Sequence, residues 1–263
     1  MSLKVKDIYF FLEKLAPLGL ADKNDNNGLQ IGSLEAKVAG ILLAINPIYP
    51  ALISAHKENL NLIITHHPLF YKPINQVILE DYPGKIISFA IKKNLHILSW
   101  HTPLDKISFG VSEALAKELS FETEDFIYKE GENFGYGKVV IFKNYVKLSD
   151  LAKTIKDKLK TWVMVIGDPE AKIQKLGICG GSGAFLKSYL VEQGINTLLT
   201  SDVKYHQALE AKESGFNYLL IDHGIGESFL LKILKAKLEE FLAEKGETIK
   251  IKIFQEESPY MII

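Results

Sequence analysis

At 263 residues, 47% of them apolar, the chain is long enough to bury one large core or two ordinary ones. A formal net charge of -1 gives no electrostatic footing for nonspecific binding to nucleic acid or to an anionic membrane. A single cysteine, Cys179, excludes an intrachain disulfide and fits a reducing compartment.

From the N-terminus, Met1-Ser2-Leu3-Lys4-Val5-Lys6 offers no uninterrupted apolar stretch of the signal-peptide kind, and no later segment approaches the length of a membrane span. A cytoplasmic protein is therefore expected. Ile8, Phe11, Leu12 and Leu15 recur at helical spacing ahead of Pro17. Val38 to Ile45 reads as a buried strand, and Pro47 and Pro50 precede a helix running through Ser54 to Lys57. Asn61 to Thr65 is a second strand, Pro83 to Lys93 a helix and His96 to Trp100 a third strand. Gly110 opens a helix to about Leu119. Charged residues and glycines then dominate from Ser120 to Gly137, where a domain transition is expected.

Beyond it, Val139 to Phe142 reads as a strand and Leu148 to Leu159 as a helix started by Ser149 or Asp150. Trp162 to Ile166 and Lys175 to Cys179 are strands, Ala184 to Gln193 a helix and Thr197 to Thr200 a strand. Val203 to Glu213 is a helix, Asn217 to Ile221 a strand, Glu227 to about Glu244 a long helix and Thr248 to Phe254 a closing strand. Strands separated by helix-length patterns argue for an α/β fold with layered sheets.

In such sheets functional residues collect beyond the carboxyl ends of strands. His66 and His67 end the Asn61 to Thr65 run, and Pro68 then restricts His67 to extended conformations. Adjacent side chains on a regular strand would diverge, but a chain turning at its last residues can aim both rings at one open end. Asp105 follows the third strand in His101-Thr102-Pro103-Leu104-Asp105. His223 follows Asn217 to Ile221, and Glu227 lies one helical turn further on. Three imidazoles and two carboxylates suit Zn, Mn or Fe, and a carboxylate can join two ions. Singly, each has a bland reading: His223 as a hydrogen-bonded loop residue, Asp105 as a turn residue, Glu227 as a first-turn carboxylate favoured by the helix dipole. Their joint placement at strand ends favours metal ligation.

Other features carry less. Gly180-Gly181-Ser182-Gly183 joins a strand to a helix and reads equally as an anion cradle or a tight turn. It lacks the P-loop lysine and the full dinucleotide fingerprint. Asp202, His206 and Glu210 recur at four-residue spacing on one helix and read first as a solvated polar stripe, then as a second metal face.

Asp25-Asn26-Asn27-Gly28-Leu29-Gln30-Ile31-Gly32, Thr65-His66-His67-Pro68, His101-Thr102-Pro103-Leu104-Asp105, Gly180-Gly181-Ser182-Gly183, Lys204-Tyr205-His206 and His223-Gly224-Ile225-Gly226-Glu227 occur in that order. On these motifs the chain resembles the Nif-three-like family, also known as GTP cyclohydrolase I type 2 homologues or dinuclear metal centre proteins. The resemblance implies two intertwined three-layer α/β/α domains: residues 1–125, completed by 225–263, and residues 126–224. It implies a homohexameric ring and about two divalent ions per chain, on His66, His67, Asp105, His223 and Glu227. Glu227 would join the ions, with His67 and Asp105 on one and His66 and His223 on the other. Asn46 stands where the family usually has an aspartate, Pro103 replaces an asparagine, and Ser201-Asp202 replaces Gly-Glu.

Two functions follow as expectations. The first is a metal-dependent hydrolase on a nucleotide-like substrate, with GTP ring opening as one form, in which His101 or His206 moves protons. The second is a metal carrier or insertase, or a ring-shaped scaffold for a protein partner. It needs the same ligands and no turnover.

Overall fold

The computed structural model describes residues 2–262. It is a mixed α/β fold that divides into two compact units, Met1–Leu104 with Leu231–Glu256, and Asp105–Leu230 with Glu257–Ile263. The units are interleaved in sequence, because the chain leaves the first, builds most of the second and returns. The division falls at Leu104, ahead of the expected transition after residue 125, and packing explains it. Helix Val111–Glu118 gives Leu115 and Ala116, followed by Leu119, to a core shared with Val140, Ile155, Ile178 and Leu199 of the second unit. Residues 257–262 also belong to that unit rather than completing the first: the Ser258 hydroxyl donates to Asp222 at 2.5 Å, and the rings of Tyr260 and Trp162 meet edge to face.

The first unit is built on a five-stranded sheet in the order Gly28–Ile31, His96–Ser99, Leu62–Thr65, Gly40–Ala44, Lys250–Ile253. All neighbours are parallel except Gly28–Ile31, which runs antiparallel at one edge. The inner strands Leu62–Thr65, Gly40–Ala44 and His96–Ser99 are buried throughout, which is why they read as continuous apolar runs rather than alternating ones. Leu42, Ile63 and Ile97 pack against Leu52 and Ala55 of helix Tyr49–Lys57 and Ile86 and Ala90 of helix Gly84–Lys92.

The second unit carries another five-stranded sheet, ordered Lys138–Lys147, Lys172–Ile178, Thr197–Thr200, Asn217–Leu220, Met164–Ile166. Its three inner strands are parallel and both edges antiparallel. A small hairpin, Tyr128–Lys129 with Gly135–Tyr136, occupies the stretch read as featureless.

Several expected elements shift. Helix Leu148–Leu159 follows Lys147 instead of a Ser149 or Asp150 cap, because its first amides donate to backbone carbonyls: Leu148 to Ala171 at 2.9 Å and Ser149 to Pro169 at 3.0 Å. The long helix expected from Glu227 is two, His223–Ser228 and Leu230–Glu244. The segment expected to be one helix from Ala184 is a short 3-10 turn, Ala184–Leu186, leading into helix Lys187–Glu192. Helix Tyr205–Glu213 starts late enough to leave Asp202 outside it. Strand Gly28–Ile31 has no sequence counterpart, being four residues long with its register shifted between Leu29 and Ile31. Among the described residues no helix is long and apolar enough to cross a membrane.

Trp100 closes the His96–Ser99 strand inside the first unit, fully buried, its indole N–H donating to the Ala16 carbonyl at 2.7 Å. Trp100→Phe keeps an aromatic body but leaves that carbonyl without its donor, so the urea midpoint should fall by the equivalent of about 1–3 kcal/mol. An unchanged midpoint would show that the bond contributes nothing.

Candidate functional site

In the first unit the carboxyl ends of three parallel strands supply the polar residues. The ladder runs on past Thr65, with the His66 amide donating to Ala44 at 3.1 Å and the His67 amide to Ile45 at 2.8 Å. The Thr65 hydroxyl then donates to the His67 carbonyl at 2.8 Å, holding the bend ahead of Pro68. Both rings are buried and lie 5.1 Å apart between centroids. His101, one residue past Trp100, completes a triangle at 5.1 Å from His66 and 5.2 Å from His67. One ring nitrogen from each of the three lies within 4.8 Å of the others.

Each of these rings is held at Nδ1 by an oxygen. His66 Nδ1 donates to the Trp100 carbonyl at 3.3 Å, His67 Nδ1 to Asn46 Oδ1 at 2.8 Å and His101 Nδ1 to Asp25 Oδ1 at 2.8 Å. An acceptor at Nδ1 fixes the tautomer and puts the ring's lone pair on Nε2. Asp25 also accepts from the Thr102 hydroxyl at 2.5 Å, the Thr102 amide at 3.1 Å and Asn27 Nδ2 at 2.7 Å. Burial pushes its carboxyl up, but the bonds from His101, Thr102 and Asn27 outweigh it and hold the group well below the usual carboxylate range. The Asn46 amide is oriented by Glu256, which accepts from Asn46 Nδ2 and from the Asn46 backbone amide, both at 2.7 Å. With its N–H group committed there, the amide oxygen faces His67.

The second unit repeats the plan. His223 opens helix His223–Ser228, and its Nδ1 donates to Asp202 Oδ2 at 2.6 Å. Its Nε2 lies 2.9 Å from Glu227 Oε1, one turn along the same helix. Burial alone would lower the His223 pKa, but hydrogen bonds to both carboxylates, and their charges, raise it to about 10. Without a metal the ring is therefore an imidazolium between two carboxylates. Asp202 also accepts from the Ser182 hydroxyl at 2.6 Å.

The Gly180 to Gly183 turn serves this helix. Gly181 has φ +69°, and a Cβ there would stand 2.3 Å from Glu227 Oε1, while one on Gly180 would stand 2.9 Å from the Gly226 carbonyl. The turn is thus bare because the helix carrying Glu227 packs on it. Asp105 begins the second unit, and its charge raises the pKa of the buried Cys179 thiol, after burial and ahead of Glu227. His206 is exposed on helix Tyr205–Glu213 within the field of Glu210, which pairs with Lys187 at 2.8 Å. The Asp202, His206 and Glu210 stripe is therefore divided: Asp202 serves His223 and Glu210 serves Lys187.

A donor set of imidazoles fixed at Nδ1, with ionised carboxylates beside them, fits a divalent metal. Sequence reasoning reached His66, His67, His223 and Glu227 but assigned no role to the residues that aim the rings. Asp25 stood in a quoted motif, Asn46 appeared only as a departure from a family pattern, and Asp202 was read as part of a helix. Nothing marked Glu256.

The profile of the Duf34/NIF3 family (NGG1p interacting factor 3) matches residues 3–259. The chain is 29% identical over 259 residues to a "GTP cyclohydrolase 1 type 2 homolog" of Clostridium acetobutylicum, covering 97% of each chain. It is 31% identical over 241 residues to the "GTP cyclohydrolase 1 type 2" of Helicobacter pylori strain J99, covering 90% of this chain and 92% of that one. A crystal structure of a Staphylococcus aureus hypothetical protein superposes with a TM-score of 0.94 at 26% identity, covering 100% of both chains.

Asp222 caps the helix that bears His223 and Glu227. Buried at 2% exposure, it accepts from the Ile225 amide at 2.9 Å as well as from Ser258. Asp222→Ala should destabilise the protein by about 1–2 kcal/mol in a denaturant titration. A shift within error of zero would mean that the helix start is held by other contacts.

Proposed function

Because the chain belongs to the Duf34/NIF3 family, we propose that it is a divalent-metal-dependent hydrolase acting on a nucleotide-like substrate, with GTP the first candidate. The observation that carries this reading is the set of imidazoles at His66, His67, His101 and His223, each with Nδ1 bound to an oxygen. Metal-ligating histidines almost always have that arrangement, and in His101, which we do not count among the ligands, the same hold on Nδ1 orients a ring for proton transfer. We assign His66, His67, Asp105, His223 and Glu227 as ligands of about two ions per chain, either Zn, Fe or Mn. The resemblance to curated relatives that carry the cyclohydrolase name supports the nucleotide substrate.

A divalent ion so held supplies Lewis acidity and a nucleophilic water at neutral pH. The chain's own chemistry then rests on His101. Asp25, ionised and buried, orients its ring and stabilises the imidazolium formed when Nε2 takes a proton. His101 is thus the proton carrier. Its neighbours His66 and His67 are buried, which limits the access of bulk water to them.

The test combines metal analysis with turnover. Protein reconstituted with Zn, Mn or Fe should retain about two ions per chain and convert GTP, and chelation should abolish conversion. His101→Gln should cut turnover by about 10²–10⁴ while metal content stays unchanged. Glu227→Gln should lose more metal than Asp105→Asn, since a ligand shared by two cations loses more on neutralisation than one serving a single cation. Full metal occupancy with no conversion of any nucleotide would overturn the hydrolase and leave the carrier or scaffold reading.

We also propose that the chain forms a homo-oligomer, a hexamer by the resemblance. Residues 71–82 of the first unit are exposed and carry Tyr71, Ile74, Val77, Ile78, Leu79 and Tyr82, a run of uncovered apolar side chains of the kind that marks an interaction surface. Light scattering should give a mass well above the 29.5 kDa chain. A monomer at micromolar concentration would contradict it.

A further inference from the structure

The second unit contains a cavity of about 780 Å³ beside His223, within the range of small-molecule sites. Trp162, Phe185 and Tyr260 wall it, with Ser201, Lys204 and His223 among the polar groups around it. Phe185 and Tyr260 are 49% and 59% exposed, so two large rings border one cavity with much of their surface still open to solvent. The Trp162 and Tyr260 rings meet edge to face, 6.2 Å apart at 85°.

Two polar atoms in the residues of this wall are uncompensated. Trp162 Nε1 and Ser201 Oγ are buried, and neither has a hydrogen-bond partner among the described residues. Lys204, at the mouth, makes no ion pair among the described residues, and the Asp202 carboxylate is already engaged by His223 and Ser182. The cavity therefore joins aromatic walls, two of them partly open to solvent, with one lysine that makes no ion pair among the described residues.

We propose that this cavity binds the planar heteroaromatic ring of an anionic small molecule, the ring lying against Trp162, Phe185 and Tyr260 and the anionic group meeting Lys204. The ring would then lie next to His223. The tail through Tyr260 to Ile262 becomes part of the binding wall, with Ser258 anchoring it to Asp222, the residue that caps the His223 helix. The proposal deepens the nucleotide reading given above and rests on it for the choice of probe.

The test is calorimetric titration of the full-length protein, both chelator-treated and metal-loaded, with guanosine monophosphate, guanosine and ribose 5-phosphate. Metal content is measured on the same samples. Guanosine monophosphate should bind both forms, and ribose 5-phosphate, which lacks the ring, about tenfold or more weaker. Tyr260→Ala should weaken guanosine monophosphate about tenfold, and Lys204→Ala should erase its advantage over guanosine. Both side chains are exposed, so neither truncation opens a hole in the core. Unaltered affinity in both variants, or no binding at millimolar ligand, overturns the cavity assignment. If that happens while about two ions per chain are retained, the metal assignment stands alone; loss of metal with ring binding intact fails the metal reading instead.

Discussion

The constraint on which this structure turns is the fixing of imidazole Nδ1. A histidine ring has two nitrogens, and a side chain with two free torsions can present either of them in several directions. An oxygen at Nδ1 removes that freedom: it selects the tautomer, sets the ring plane and sends the Nε2 lone pair one way. Here the oxygens come from four residues and three kinds of group: the Asp25 and Asp202 carboxylates, the Asn46 amide and the Trp100 backbone carbonyl. Each source depends on a distant part of its own unit. Asp25 is delivered by the segment entering edge strand Gly28–Ile31, and the carbonyl of Trp100 by a strand that its indole anchors to Ala16.

Seen this way, the interleaving of the chain has a physical consequence. The last strand of the first unit, Lys250–Ile253, pairs in parallel with Gly40–Ala44, and Phe254 continues the ladder by donating to Leu43 at 2.8 Å. That register sets Glu256 against Asn46, whose amide it orients toward His67. The contact joins residues 210 positions apart in sequence. The return of the chain is thus what determines which way one ring of the cluster points.

Much of the framework was legible because buried parallel strands are short, largely apolar runs, and the described residues contain five of them. The residues at their carboxyl ends were legible for the same reason: a strand that stops at His66, at Trp100 or ahead of His223 marks where the sheet opens. What could not be read was anything carried by long-range pairing. Strand Gly28–Ile31 exists because His96–Ser99 offers it an edge, and its own four residues have no strand pattern. The division at Leu104 follows from which core Leu115 and Leu119 enter, and periodicity on helix Val111–Glu118 says only that one face is apolar. Asp202 looked like part of a helical stripe because it is spaced four residues from His206, although the helix starts after it.

Asn46 shows how a departure from a pattern can preserve geometry while changing electrostatics. An amide oxygen accepts from His67 as a carboxylate would, so the ring keeps its direction. The amide carries no charge, however, and gives the ring no ionic partner of the kind that Asp25 gives His101. Glu256 restores a negative charge one hydrogen bond further away, where it polarises the amide without touching the imidazole. His67 is therefore held in a weaker field than His101 and His223, each of which meets a carboxylate directly. His67 and His101 thus differ in the charge that meets Nδ1, although the two rings belong to one cluster.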